Sequence, residues 1–270
     1  MEKGKLQFSG TFLIITAGIA FSLVAVYCWG LQTMAWWKFI GYSKSAPILA
    51  LTPRTPQSVL PNPAVGIKLS HAGFEFEVPW TDFDGGKSKS MQNIAVYAFQ
   101  SGRVISFYGP SPTHEDLLSE VQKDFGDKNG TLRTLFGEEA TKSNYDFQRT
   151  MLEQTPDELR PWMNRREAYR LSMLLMIKGI SSVGGDTGLF KVGAHGWRGF
   201  QFDDPTKNPK KVTLELYDSN DQHVEIIFVP GKQESAGIGQ ADVNRALETL
   251  RPSDQLSAAE TLLQKKSKVN

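Results

Sequence analysis

Cysteine is almost absent from this 270-residue chain: Cys28 is the single one, so no intrachain disulfide can form and no thiol is available to chemistry beyond it. Whatever folds after that point must rely on an apolar core. An excess of one charge is lacking too. With four of the 30 basic residues and one of the 29 acidic ones at or before Lys44, the remainder carries 26 against 28, a net of −2. The one basic cluster, Lys265, Lys266 and Lys268, lies in the tail. Nucleic-acid binding, which needs a basic face, is therefore excluded as a function class.

The signatures of common active sites are missing as well. No Gly-x-Ser-x-Gly elbow occurs, and the glycine-rich stretch 179–188 lacks the Lys-Ser or Lys-Thr of a phosphate loop and follows a helix where a strand is required. His71, His114, His195 and His223 are scattered, with no pair at metal-ligand spacing. The acidic pairs Glu115–Asp116 and Asp203–Asp204 read as solvated charges, and the Asp218-Ser219-Asn220-Asp221 turn lacks the closing Glu of a calcium loop. No catalytic, cofactor-binding or metal-ligating residue is assigned, no cofactor is implied, and the balance weighs against an enzyme.

What is present starts with an uncharged stretch over residues 6–37, within which 12–29 is almost continuously apolar. Eighteen helical residues rise about 27 Å, close to the hydrocarbon thickness of a bilayer. The run is longer than the apolar part of a secretory signal and has no small-x-small cleavage site, and Tyr27 ahead of Cys28 does not fit a lipidation motif. It reads as an uncleaved single-pass anchor that meets the bilayer through residues 9–30. Tyr27, Trp29, Trp36, Trp37 and Tyr42 mark one headgroup interface. Lys3 and Lys5 sit closer to the apolar run than Lys38 and Lys44, which places the amino terminus inside and the following domain outside the cytoplasm, periplasmic or extracellular.

The expected organisation is an N-terminal tail at 1–8, a transmembrane helix and interfacial segment at 9–44, a Pro-rich linker at 45–65, a soluble α+β domain at 66–252 and a C-terminal tail at 253–270. Pro47, Pro53, Pro56, Pro61 and Pro63 make the linker an extended tether that holds the domain off the bilayer. In the domain, alternation predicts strands at Val65–Leu69 and Phe74–Trp80, then a hairpin from 94–99 and 104–108 about Ser101-Gly102. Thr113 caps a helix stopped by Gly126. Thr155-Pro156-Asp157-Glu158 opens a second, running to about Lys178 with a bend or restart open at Pro161, whose stripe of Trp162, Tyr169, Met173, Met176 and Ile180 is expected to face the core. Strands follow at 189–192, 197–202, 212–217 and 224–229, then helices at 241–250 and from Ser257. Trp197 and Phe228 are expected core residues.

The order of strand, Gly-rich strand through Gly193, Gly196, Trp197 and Gly199, hairpin about Asp218–Asp221 and terminal helix, over 189–250, resembles the end of PsbP-like domains, small α+β modules of extracytoplasmic accessory proteins. The resemblance implies an antiparallel sheet flanked by helices and a binding or assembly role, and it transfers no functional residue. The sequence thus predicts a membrane-anchored interaction or accessory domain with a membrane-protein partner. The alternative is a tethered hydrolase or small-ligand binder whose site joins distant residues such as His195 and Asp203.

Overall fold

The computed structural model describes residues 30, 33–34, 36–41, 44, 46–110, 131–160, 162–181, 185–233 and 236–253. The apolar run at 12–29, the helix expected from Thr113, His114, Glu115, Asp116 and the helix expected from Ser257 lie outside them. Among the described residues no helix is long and apolar enough to cross a membrane.

The domain is α+β with antiparallel sheets. Strands β1 (Ile67–His71) and β2 (Phe74–Val78) form a hairpin whose turn residues, Ala72 at φ 49° and Gly73 at φ 82°, both adopt the left-handed conformation that matches strand twist in a two-residue turn. Next come β3 (Lys89–Ser90), β4 (Ile94–Ala98) and β5 (Val104–Tyr108), then α1 (Thr131–Phe136), α2 (Asn144–Glu153) and α3 (Arg165–Ser181). The chain closes with β6 (Leu189–Ala194), β7 (Trp197–Phe202), β8 (Val212–Tyr217), β9 (His223–Val229), α4 (Gln240–Thr249) and β10 (Arg251–Pro252). The large sheet runs β3-β4-β5-β9-β8-β7-β6, and β1-β2-β10 forms a smaller one.

The two-residue period of the strands sorts the core into two layers. Val212, Leu214 and Leu216 of β8 and Val224, Ile226 and Phe228 of β9 face one way, against β2 (Phe74, Phe76, Val78) and α4 (Val243, Ala246, Leu247). Phe200, Phe202 and Tyr217 face the other way, against Phe147, Met151 and Leu152 of α2 and Leu174 and Ile177 of α3. Trp197 and Phe228 are core residues as expected, 6% and 0% exposed. Gly199 is required where β7 meets β8: a Cβ there would collide with the Glu215 carbonyl.

Three expectations are corrected. The segment after Thr155 is not one helix but takes the restart left open at Pro161: a 3-10 turn at Pro156–Glu158, opened by a capping box, ends at an extended Leu159, and α3 begins at Arg165, since Arg160 before the proline is biased away from helical geometry. Of the expected core stripe only Met173 packs on the core; Trp162, Tyr169, Met176 and Ile180 face outward, 69%, 55%, 43% and 71% exposed, while Ala168, Leu171, Leu174 and Leu175 are buried. The Pro-rich linker is not a free tether over its described length, since it packs on the domain. The short β3, β10 and α1 were not anticipated.

Candidate interaction surface

The linker runs along the domain as a strap. Its 3-10 helix Pro47–Ala50 buries Ile48 and Leu49, each 3% exposed, with Ile48 in the layer beneath α2 and α3. Arg54 then pairs in parallel with Phe190: its N–H donates to the Leu189 carbonyl (3.0 Å), and Lys191 N–H donates to its carbonyl (2.8 Å). This covers part of the edge that β6 presents, and exposed edges are where sheets aggregate. Further on, Asn62 N–H reaches the Ala241 carbonyl at 3.0 Å, Asn62 Nδ2 donates to Asp242 Oδ1 at 2.9 Å, and Asn244 Nδ2 donates to the Val59 carbonyl at 2.6 Å. The prolines that forbid helix keep the chain extended, which suits a segment laid against an edge.

Lys178 pins the strap to the helices. It is fully buried, and its ammonium donates to the carbonyls of Leu51 (2.6 Å), Leu152 (2.9 Å) and Gln154 (2.7 Å). The last two are carbonyls at the end of α2 that no helical N–H can satisfy. Burial pulls the amine down to about 8, and Glu158 works in the opposite direction.

Residues 36–41 are helical, and Trp36 and Phe39 pack on a cluster of Leu159, Ala168, Leu171 and Leu175. Helix α3 is therefore gripped from two sides, by the sheet layer through Leu174 and Ile177 and by this short segment through Leu171 and Leu175. Its remaining side is the exposed stripe. At 100° per residue, Tyr169, Met176 and Ile180 fall within a narrow band, while Met173 in the same band is half-buried against the α2 layer and Arg166, one turn ahead, donates to the Thr134 carbonyl at 2.7 Å. Trp37, on the short helical segment, is 66% exposed.

The opposite end of β6 and β7 carries a different feature. A cavity of about 550 Å³ lies among the β1–β2, β6–β7 and β8–β9 turns, lined by Gly73, Phe74, His195, Trp197, Asp218 and Pro252. Two of its polar side chains are engaged. His195 Nε2 meets Glu248 at 3.0 Å, and Asp218 Oδ1 accepts the N–H groups of Asn220 and Gln222, both at 2.8 Å.

The residues singled out from sequence are not brought together. His195 sits in the turn before β7 and Asp203 just after its last residue, so a strand length of about 20 Å separates them. Asp203 instead accepts from Gly185 N–H (2.9 Å) and Thr187 N–H (3.0 Å), which fixes the glycine-rich loop. Asp204 accepts from Thr206 N–H at 2.9 Å. Asp221 Oδ2 receives Asn144 N–H (2.6 Å) and Nδ2 (2.8 Å), so the hairpin turn supplies an N-terminal cap to α2. His71 Nδ1 is 3.2 Å from Ser90 Oγ, and His223 stacks on Tyr217 at 4.8 Å between ring centroids. Among the described residues no group of three His, Cys, Asp or Glu is placed to hold a metal.

One ionisable group was missed. Glu215 on β8 faces Glu225 on β9 in register beneath Gln148 of α2, whose Nε2 donates to Glu215 Oε2. Burial, then repulsion from Glu225, raises Glu215 to about 8. The buried Gln148 Oε1 has no hydrogen-bond partner. Only the strand register shows this, because Glu215 and Gln148 are 67 residues apart.

No family model and no curated protein matches the chain. Fold and surface define the class on their own: an antiparallel α+β domain with an extended strap, an aromatic segment seated on α3, and polar groups committed to caps and turns.

Proposed function

We propose that the chain is a single-pass membrane protein, anchored through residues 12–29, whose extracytoplasmic α+β domain serves as an interaction or accessory module for a membrane-protein partner. The observation that carries this reading is the packing of Trp36 and Phe39 on Leu159, Leu171 and Leu175. Those two residues lie 7 and 10 positions beyond the apolar run, about 11 to 15 Å if helical, which supports a domain held close to the end of the anchor. Ile48, Leu49 and Lys178 reinforce the seat. A rigidly presented domain suits docking, whereas a diffusing substrate needs only a tether. The likeness of 189–250 to PsbP-like domains and the Lys3 and Lys5 leader support the accessory role and the outward orientation.

The hydrolase reading loses its named pair, because His195 and Asp203 are held at opposite ends of β7 by other partners. The test is crosslinking in intact membranes followed by purification from detergent. A stoichiometric membrane-protein partner is the expected result. Recovery of the chain alone, with hydrolysis or ligand binding that is lost on His195→Ala, would refute the reading.

A further inference from the structure

Two of the hairpins that meet at the turn cavity share a design. In His71-Ala72-Gly73-Phe74 and Ala194-His195-Gly196-Trp197, a non-glycine residue at φ 49° precedes a glycine at φ 82° or 88°, and an aromatic residue follows. Asn, Asp or Gly fit the first of those positions more easily, so Ala72 and His195 sit there under backbone strain of the kind that gathers at binding sites. The rings of Phe74 and Trp197 touch edge to face, 5.7 Å between centroids, and line the cavity of about 550 Å³. Ser253 N–H donates to the Gly73 carbonyl at 2.7 Å and fixes the chain at the rim. A space of that volume falls in the range of small-molecule sites.

The lining carries charge of one sign. Asp218 Oδ1 accepts the two N–H groups of its own turn, and Oδ2 receives no donor among the described residues. No Lys or Arg among the described residues lines the space, and His195 is held on Glu248, so any charge it gains is matched there. Ser219 and Gln222 add neutral acceptors. A ligand carboxylate or phosphate would meet Asp218 with no cation to offset it. An ammonium gains a charge-assisted hydrogen bond at Oδ2 and the attraction of the aromatic rings for a cation. The cavity between α1 and α3 lacks this bias, because Arg166, Arg170 and Glu167 all line it and Arg166 is already on the Thr134 carbonyl.

We propose that the turn cavity is a binding site for a small organic ammonium, with the ligand's apolar body against Phe74 and Trp197 and its N–H groups on Asp218 Oδ2, Ser219 and Gln222. The ligand is bound and not turned over, so no chemical step is involved. The site goes beyond the accessory reading and does not rest on it.

The test uses the full chain in detergent micelles, made with fluorotryptophan, and follows by fluorine NMR the resonance that disappears in Trp197→Phe. The probes are phenethylamine and phenylpropionate, which share a phenylethyl body and carry opposite charges at neutral pH. Phenethylamine is expected to shift the Trp197 resonance saturably and phenylpropionate to leave it in place. Asp218→Asn, whose amide oxygen still accepts the two turn N–H groups, is expected to weaken the amine by roughly five-fold or more. Ser219 is exposed, so Ser219→Lys sets an ammonium at the rim without touching the turn's bonds; it is expected to reject the amine and admit the carboxylate. No saturable shift with phenethylamine, an equal shift with phenylpropionate, or amine binding unchanged in both variants would overturn the site. A partner captured in membranes with no amine shift would sink the site and leave the accessory reading standing. A chain recovered alone whose Trp197 resonance the amine shifts would do the reverse.

Discussion

Replacing Lys178 by Met keeps the aliphatic stem and deletes the ammonium, so the cost falls on three carbonyl oxygens rather than on a cavity. The Leu152 carbonyl is buried and becomes unsatisfied, at about 2 kcal/mol. Those of Leu51 and Gln154 are part-buried and recover some hydration, at roughly 0.5 kcal/mol each. Lys178→Met should therefore destabilise a chain beginning at Ala46 by about 3 kcal/mol in urea unfolding followed by tryptophan fluorescence. A chain beginning at Gly66 loses the Leu51 acceptor and the burial of Ile48 and Leu49, worth about 2 kcal/mol each. It should be some 4 kcal/mol less stable, and Lys178→Met should cost it less than it costs the longer chain. The diagnostic is the non-additivity. Equal stabilities for the two chains, or a Lys178→Met effect below about 0.5 kcal/mol in the longer one, would refute the strap as a structural part of the domain.

Glu215 gives a pH dependence of defined sign. Its pKa in the folded chain is raised from 4.5 to about 8, so its contribution to stability is complete below 4.5 and is lost as pH rises through about 8. Between these limits the native chain should lose on the order of 2 kcal/mol, less than an isolated shift would give because charge is shared with Glu225, and Glu215→Gln should flatten the curve in thermal melts. A wild-type curve that rises with pH across this window would contradict the assignment. Phe228→Ala removes a side chain with no exposed surface from the larger core cluster and should cost about 3 to 5 kcal/mol by the same urea titration, an unmoved midpoint being the refuting result.

Much of the sheet was legible because alternation is a local signal. Phe74, Phe76 and Val78, or Val224, Ile226 and Phe228, declare one buried face without reference to anything distant. The strap was not legible. Proline content predicts extended chain, but whether an extended chain is solvated or laid on an edge depends on Leu189 and Lys191. The α3 stripe was misassigned for a related reason: α3 is apolar on two faces, and period alone does not say which of them meets the sheet. Acidic residues that invited a metal or catalytic reading, Asp203 and Asp221, turned out to cap loops and a helix, a role fixed by partners 16 to 18 and 76 to 77 residues away. Glu215 carried no sequence signal at all, since its environment is made by a cross-strand Glu and a helix from another part of the chain.

The central claim is that the chain is held in a bilayer by an uncleaved apolar span at residues 12–29. The most direct measurement is an alkaline carbonate wash of membranes from cells making the full chain, with mass determination of the retained protein. The account predicts full retention with residues 1–29 still attached. Release into the wash, or recovery of a shortened chain lacking that run, would contradict it.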